Sequence, residues 1–184
     1  QIRVHGDTVR LGIPGAAITL DGIAKGRVID GGVAALQAAG FGHVVVEAGG
    51  DLRALGARAD GTPWRVGIAH PRANESGGIL TVLPIGARAM ATSGDYMHAF
   101  TADFSQHHII DPRTGQSPQE LASATVLAAT AQDADALATA LMVMGADAGV
   151  ALAERLPDVE ALLITRDLRV LKTSGVGAAG FALE

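Results

Sequence analysis

The hydrophobic positions along this chain change period several times, and each change marks a different element. Over residues 1–20 apolar and polar positions alternate (Ile2, Val4, Val9, Leu11, then Ala17 to Leu20), which predicts two or three short strands with turns at Gly6-Asp7 and Pro14-Gly15. From about residue 23 the apolar positions Val28, Ile29, Val33, Leu36 and Ala39 recur at helical spacing, and Gly40 ends the helix. Residues 43–48 form a β-branched run that predicts a buried strand closing in Gly49-Gly50-Asp51. Residues 52–55 and 64–68 read as the next strands, with a turn at Asp60-Gly61, and residues 79–85 and 88–92 continue the sheet. Residues 96–104 lead into a short buried strand beginning at His107, and residues 124–129 follow it. Residues 132–144 carry the clearest helical period, residues 146–156 a second, and residues 160–165 and 169–173 close the chain as a hairpin.

Strands outnumber helices and cluster, so the pattern predicts an α+β protein with a largely antiparallel or mixed sheet and packed helices, not a doubly wound fold. At 184 residues the chain makes one domain over 1–184, or a close pair of lobes, with enough length for a substantial core. With 48% hydrophobic and 18% charged residues it is an ordered globular sequence. Aromatics are only 3% while Ala and Gly dominate, so its elements must pack closely. The net charge of -5 and the lack of any Lys/Arg cluster argue against a nucleic-acid groove. No apolar run reaches the roughly 18 residues a transmembrane helix needs. Cysteine is absent, which removes disulfides, thiolate nucleophiles and thiolate metal sites. Gln1 is not an initiator Met and no signal-peptide pattern follows it, so the chain is expected to be a processed form or a fragment.

Several short segments carry chemistry. His107-His108-Ile109-Ile110-Asp111-Pro112-Arg113-Thr114-Gly115 joins two imidazoles to a sharp turn. Histidine suits proton traffic near neutral pH, and Asp can orient an imidazole or a metal-bound water. Strand alternation points the two imidazoles to opposite faces, so one at most faces a given site. Asp135 and Thr139 stand i and i+4 on a helix, which puts a carboxylate and a hydroxyl on one face. That is a hard-oxygen pair of the kind Mg²⁺ takes, beside the alternative of a capping Asp and a packed Thr.

Gly22-Ile23-Ala24-Lys25-Gly26 enters the first helix, where a helix N-terminus and a lysine favour anions; a plain strand-to-helix turn is the alternative. Glu47-Ala48-Gly49-Gly50-Asp51 lets a planar ligand approach the backbone, or makes a tight turn. Ala91-Thr92-Ser93-Gly94-Asp95 offers hydroxyls and amides on a loop, suited to phosphate or ribityl oxygens or to scaffolding. No nucleophile elbow surrounds Ser93, and His98, His107 and His108 match no zinc spacing.

In this order, and with Pro63-Trp64-Arg65-Val66-Gly67-Ile68 and Ala134-Asp135-Ala136-Leu137-Ala138-Thr139-Ala140 between and after them, these segments resemble the ApbE family of FAD:protein FMN transferases. The resemblance implies an ApbE-like (T-fold-like) core and a Mg²⁺-dependent enzyme that cleaves FAD, attaches FMN to a Thr or Ser of an acceptor protein and releases AMP. It implies metal ligation by the Gly22 carbonyl, Asp135 and Thr139, and FAD contacts from Thr19, Lys25, Gly49, Gly50, Asp51, Thr92, Ser93, His108 and Ile109. His108 is the candidate general base and Asp111 its orienting partner. Thr19 stands where relatives often carry an acidic residue, with Asp21 two positions on and, on a strand, facing the same side.

The family usually carries about a hundred further residues ahead of this region, so half the flavin pocket is expected from elsewhere. Its acceptors are membrane-associated or exported redox proteins with a short Ser/Thr motif. The implied setting is the periplasm or the outer face of a bacterial cytoplasmic membrane, often as a lipoprotein. Two other functions fit the same residues: a FAD pyrophosphatase giving FMN and AMP, and a flavin-binding scaffold without catalysis.

Overall fold

Small side chains decide how this protein is layered. In the computed structural model, which describes residues 2–73 and 78–178, the alanine-rich segments form the contact between two helices and the sheet beneath them. The elements run β1 (Ile2–His5), β2 (Thr8–Leu11), α1 (Asp21–Ala38), β3 (Val44–Ala48), β4 (Asp51–Leu55), β5 (Trp64–Ala69), β6 (Ile79–Ile85) and β7 (Ala89–Gly94). They continue as β8 (Leu121–Ala128), α2 (Ala131–Met144), α3 (Ala146–Ala153), β9 (Glu160–Thr165), β10 (Val170–Lys172) and α4 (Gly175–Ala178).

Six strands form one antiparallel sheet in the order β10-β9-β8-β7-β4-β3. The α+β antiparallel expectation holds. Side chains alternate between two cores, as the two-residue period of a strand requires. On one face Ala89, Ala91, Ala124, Val126, Ala128, Ala161 and Leu163 meet Ile29 of α1 and Ala131, Ala134, Ala138, Leu141 and Met142 of α2. On the other face Met90, Leu127, Leu162 and Ile164 pack beneath Ile68, Leu83 and Ile85 of the β5–β6 hairpin. β8 lies inside the sheet and every one of its residues is buried.

Several sequence expectations give way here. Strands β5 and β6 pair only with each other and cover the sheet as a separate hairpin, so the continuous sheet expected through residues 64–92 is divided. β3 is a sheet edge with alternating exposure, not a buried strand. Residues 17–20 form no strand, leaving β1 and β2 as a lone, mostly exposed hairpin around Gly6-Asp7. Its pairs Ile2–Leu11 and Val4–Val9 present one apolar face.

Residues 107–110 are not a strand either. The segment is held by isolated bridges, Ala99 with His107 and Asp111 with Gln116. Its backbone makes single contacts, His108 N to His98 O and His107 N to Ser117 Oγ, instead of a continuous ladder, which β-propensity cannot register.

Candidate active site

Three elements converge on one cavity of about 730 Å³. The first turn of α1 brings Asp21, Gly22 and Lys25; the end of β7 brings Thr92 and Ser93; the inward face of α2 brings Asp135 and Thr139. Residues 97–98 and 108–110 close the rim, with Thr19 ahead of the helix. Nine residues singled out from the sequence therefore line one space: Thr19, Gly22, Lys25, Thr92, Ser93, His108, Ile109, Asp135 and Thr139.

The one-face arrangement of Asp135 and Thr139 follows from helical spacing. Thr139 Oγ1 lies 3.1 Å from Ser93 Oγ, and a Cβ on Gly22 would stand 3.8 Å from Thr139 Oγ1. Asp135 is not the helix cap. That role belongs to Thr130, which accepts from Asp133 N at 3.1 Å and donates to the Asp133 carboxylate at 2.6 Å. Asp135 instead accepts from Gly26 N at 2.9 Å through Oδ2.

Here α1 and α2 touch backbone to backbone. A Cβ on Gly26 would fall 2.2 Å from Ala131 O, so only glycine fits. Among the described residues no group of three His, Cys, Asp or Glu side chains is arranged to hold a metal. The Asp21 and Asp135 carboxylates, the Thr139 hydroxyl and the backbone at Gly22 line the cavity, an oxygen set that suits Mg²⁺ when phosphates and waters complete the shell.

Gly49, Gly50 and Asp51 stand behind the cavity, not on its wall. Asp51 is 2% exposed; it pairs with Lys25 Nζ at 2.9 Å and accepts from Thr92 N at 3.1 Å. Lys25 Nζ also reaches Gly49 O at 3.5 Å. The turn therefore aims the lysine, whose side chain keeps 34% of its exposure. Burial raises the Asp51 carboxyl pKa above its usual range, and the Lys25 contact partly offsets this.

His108 presents its ring to the cavity, while His107 is fully buried with Nε2 3.2 Å from Pro118 O. The two imidazoles differ in burial but do not point to opposite faces as a strand would require, their ring centroids lying 6.3 Å apart. His98, nine to ten residues upstream of this pair, stands edge-on to His108 with ring centroids 5.1 Å apart. Its carbonyl accepts from His108 N at 3.1 Å. Partial desolvation of its ring lowers the His108 pKa below its usual value although the residue reaches the surface, and the neighbouring His98, His107 and Lys25 lower it further.

Asp111 does not orient His108. Its carboxylate accepts from Arg113 N at 2.9 Å, and from Arg113 Nε and Nη2 at 2.8 and 2.7 Å, which fixes the turn and lowers its own pKa. An Asp-Pro-Arg turn closes on itself more readily than it reaches back to a histidine three residues away.

Thr92 and Ser93 lie at the end of β7, not on a loop. Thr19 Oγ1 accepts from Asp21 N at 3.2 Å, and Asp21 opens α1 instead of extending a strand. Asp21, Met97, His98 and Ile110 complete the lining. Of these, His98 had no signal beyond its nearness in sequence to the His pair.

Comparison with known proteins supplies a frame for this geometry. The model of the ApbE family matches residues 1–163. The FAD:protein FMN transferase of Vibrio cholerae is 39% identical over 156 residues, covering 84% of this chain and 46% of that protein. The FAD:protein FMN transferase of Treponema pallidum is 36% identical over 179 residues, covering 92% of this chain and 49% of that one. Among solved structures, the flavin transferase ApbE from Vibrio cholerae superposes with a TM-score of 0.84 at 33% identity, covering 97% of this chain and 58% of that chain. An ApbE protein from Thermotoga maritima gives 0.83 at 32%, with coverage of 92% and 55%. The chain spans about half the length of the curated relatives it matches.

Proposed function

The chain belongs to the ApbE family, and from that premise we propose that it supplies the catalytic half of a Mg²⁺-dependent flavin transferase. Its substrate is FAD, its products are AMP and an acceptor protein carrying FMN on a Ser or Thr. One observation carries the reading: an aimed cation, paired hydroxyls, a low-pKa imidazole and a hard-oxygen set line a single cavity.

Gly22, Asp135 and Thr139 are the residues that would hold Mg²⁺. Bound there, the ion would offset phosphate charge and favour departure of the nucleotide. Lys25, held by Asp51, supports the same pyrophosphate as a point charge next to the N-terminus of α1. The Ser93 hydroxyl, beside Thr139, gives a directional contact to phosphate or ribityl oxygens, whereas Thr92 Oγ1 pairs with Thr125 Oγ1 at 2.9 Å across β7 and β8. His108, whose pKa is lowered by its surroundings, is the group that accepts the proton of the acceptor hydroxyl. That oxygen then bonds to the flavin-side phosphorus while the anhydride P–O bond breaks and AMP leaves.

A second reading rests on the exposure of His98 and His108 at the rim. Water can stand where the acceptor hydroxyl would, which turns the same chemistry into hydrolysis of FAD to FMN and AMP. The proposal extends to the setting: exported redox acceptors on the outer face of a bacterial membrane. No helix among the described residues is long and apolar enough to cross a membrane.

The test is to incubate the chain with FAD and Mg²⁺, with and without an acceptor domain, and follow AMP and covalent flavin by mass spectrometry. Flavin attachment that disappears in Asp135→Ala and falls steeply in His108→Ala supports the transferase. AMP and FMN without attachment support the hydrolase. Intact FAD in every sample, even beside a full-length relative's N-terminal half, rules out both.

A further inference from the structure

The N–H groups that open a helix have no partners inside it, so whatever accepts their hydrogen bonds also fixes where the helix starts. Thr130 serves Asp133 N locally. Ala131 N and Gln132 N are served from another element altogether. Both donate to Asp30 of α1, at 3.0 Å to Oδ1 and 3.0 Å to Oδ2. Asp30 is 9% exposed and its Oδ1 also accepts from Arg53 Nη1 at 2.7 Å, so the carboxylate is held from three sides.

The exchange is reciprocal. Asp30 of α1 caps the backbone of α2, and Asp135 of α2 accepts from the backbone of α1 at Gly26. Between the two contacts the helices meet at Gly26 and Ala131 with no room for a side chain. Three constraints within a turn of each other fix both the axial and the rotational register of α2 on α1.

We propose that Asp30 is a positioning residue for the cation site, setting the register that brings Asp135 and Thr139 opposite Gly22. A slip of one residue along α2 rotates each side chain by about 100° about the helix axis, which carries both oxygens off the cavity wall. Asp30 touches no substrate and acts only through α2. The inference rests on the reading of Gly22, Asp135 and Thr139 as cation donors.

The experiment is a titration of the intact chain with Mn²⁺ alone, a Mg²⁺ surrogate, following free Mn²⁺ by electron paramagnetic resonance. Asp30→Asn keeps one acceptor oxygen but turns an amide toward an N–H. It should weaken Mn²⁺ binding roughly ten- to a hundredfold, the range seen when the supports of metal ligands are altered. Thr130→Ala removes the local cap of the same helix end. It should lower the melting temperature and leave the Mn²⁺ affinity unchanged, an outcome that a purely structural role for Asp30 cannot reproduce.

Asp30→Glu, which retains the charge one methylene further out, should fold and still bind several-fold more weakly; it serves where Asp30→Asn does not fold. Wild-type affinity in a folded Asp30 variant, with binding abolished in Asp135→Ala, overturns the positioning role alone. So does an equal loss of affinity in Thr130→Ala. Wild-type protein that takes up no Mn²⁺, or takes it up equally after Asp135→Ala, overturns the cation site and this inference with it.

Discussion

Asp95 follows the Thr92-Ser93-Gly94 corner and is completely buried, yet two arginines converge on it. Arg72 binds both carboxylate oxygens at 2.7 Å while stacking its guanidinium 4.5 Å from the Phe104 ring centroid. Arg166 stands 3.9 Å away, donates to the Gln119 side chain and also reaches the Asp103 carbonyl. This cluster ties residues 95–106, the segment that carries His98, to the ends of β8 and β9. Replacing Asp95 by Ala leaves both guanidiniums without their carboxylate.

Breaking a buried charge pair from one side costs about 3–5 kcal/mol. Arg72 and Arg166 retain 21% and 26% side-chain exposure and can recover some hydration, so we expect about 3 kcal/mol for Asp95→Ala. Against the roughly 5–15 kcal/mol of a typical domain, the loss is large but survivable. Urea unfolding followed by circular dichroism measures it. The double variant Asp95→Leu with Arg72→Met should regain part of the loss, because no orphaned pair partner remains at position 72. A single-variant loss under about 1 kcal/mol, with no coupling between the two sites, would show that water already reaches this carboxylate and would refute the reasoning.

Four further outcomes are expected. Gly26→Ala forces α1 and α2 apart and breaks the bond to Asp135; unfolding should register a loss of about 2–4 kcal/mol, and an unchanged stability would contradict the backbone contact. The acid limb of kcat/KM should fall below the ordinary His value of 6.5, since a base whose pKa is lowered stays neutral as the pH drops and is lost only when it protonates. His98→Gln, by removing a neighbouring imidazole, should move that limb upward; a profile over about pH 5 to 8 decides, and a wild-type limb above 6.5 counts against His108 as the base. Asp111→Asn, which loosens the Arg113 turn, should lower the melting temperature and leave the acid limb where it is.

Features set by neighbours in sequence were legible in advance, and features set by neighbours in space were not. The period of α2 gave its face, and with it the common orientation of Asp135 and Thr139. The same period could not report that Asp135 binds Gly26, 109 residues away. Strands β5 and β6 read correctly as strands, but alternation does not say which sheet a strand joins, and they left the main one. Residues 107–110 have strand composition, yet the bonds from Asp111 N to Gln116 O and from His108 N to His98 O organise them as a clasp. Nearness to His108, three residues away, suggests Asp111 as its partner, whereas Arg113, two residues on, wins the carboxylate. The ordered motifs identified the family where each motif alone left alternatives open.

The layering also sets a clock for the amide protons. A lone two-stranded hairpin is marginal in water, so the β1–β2 amides should trade their hydrogens for deuterium through small local openings. β8 has paired neighbours on both sides and no exposed residue, so its amides are released only when the whole sheet comes apart. One labelling time course therefore reads two free energies from a single chain, and the slow one is the stability of the platform beneath the cavity.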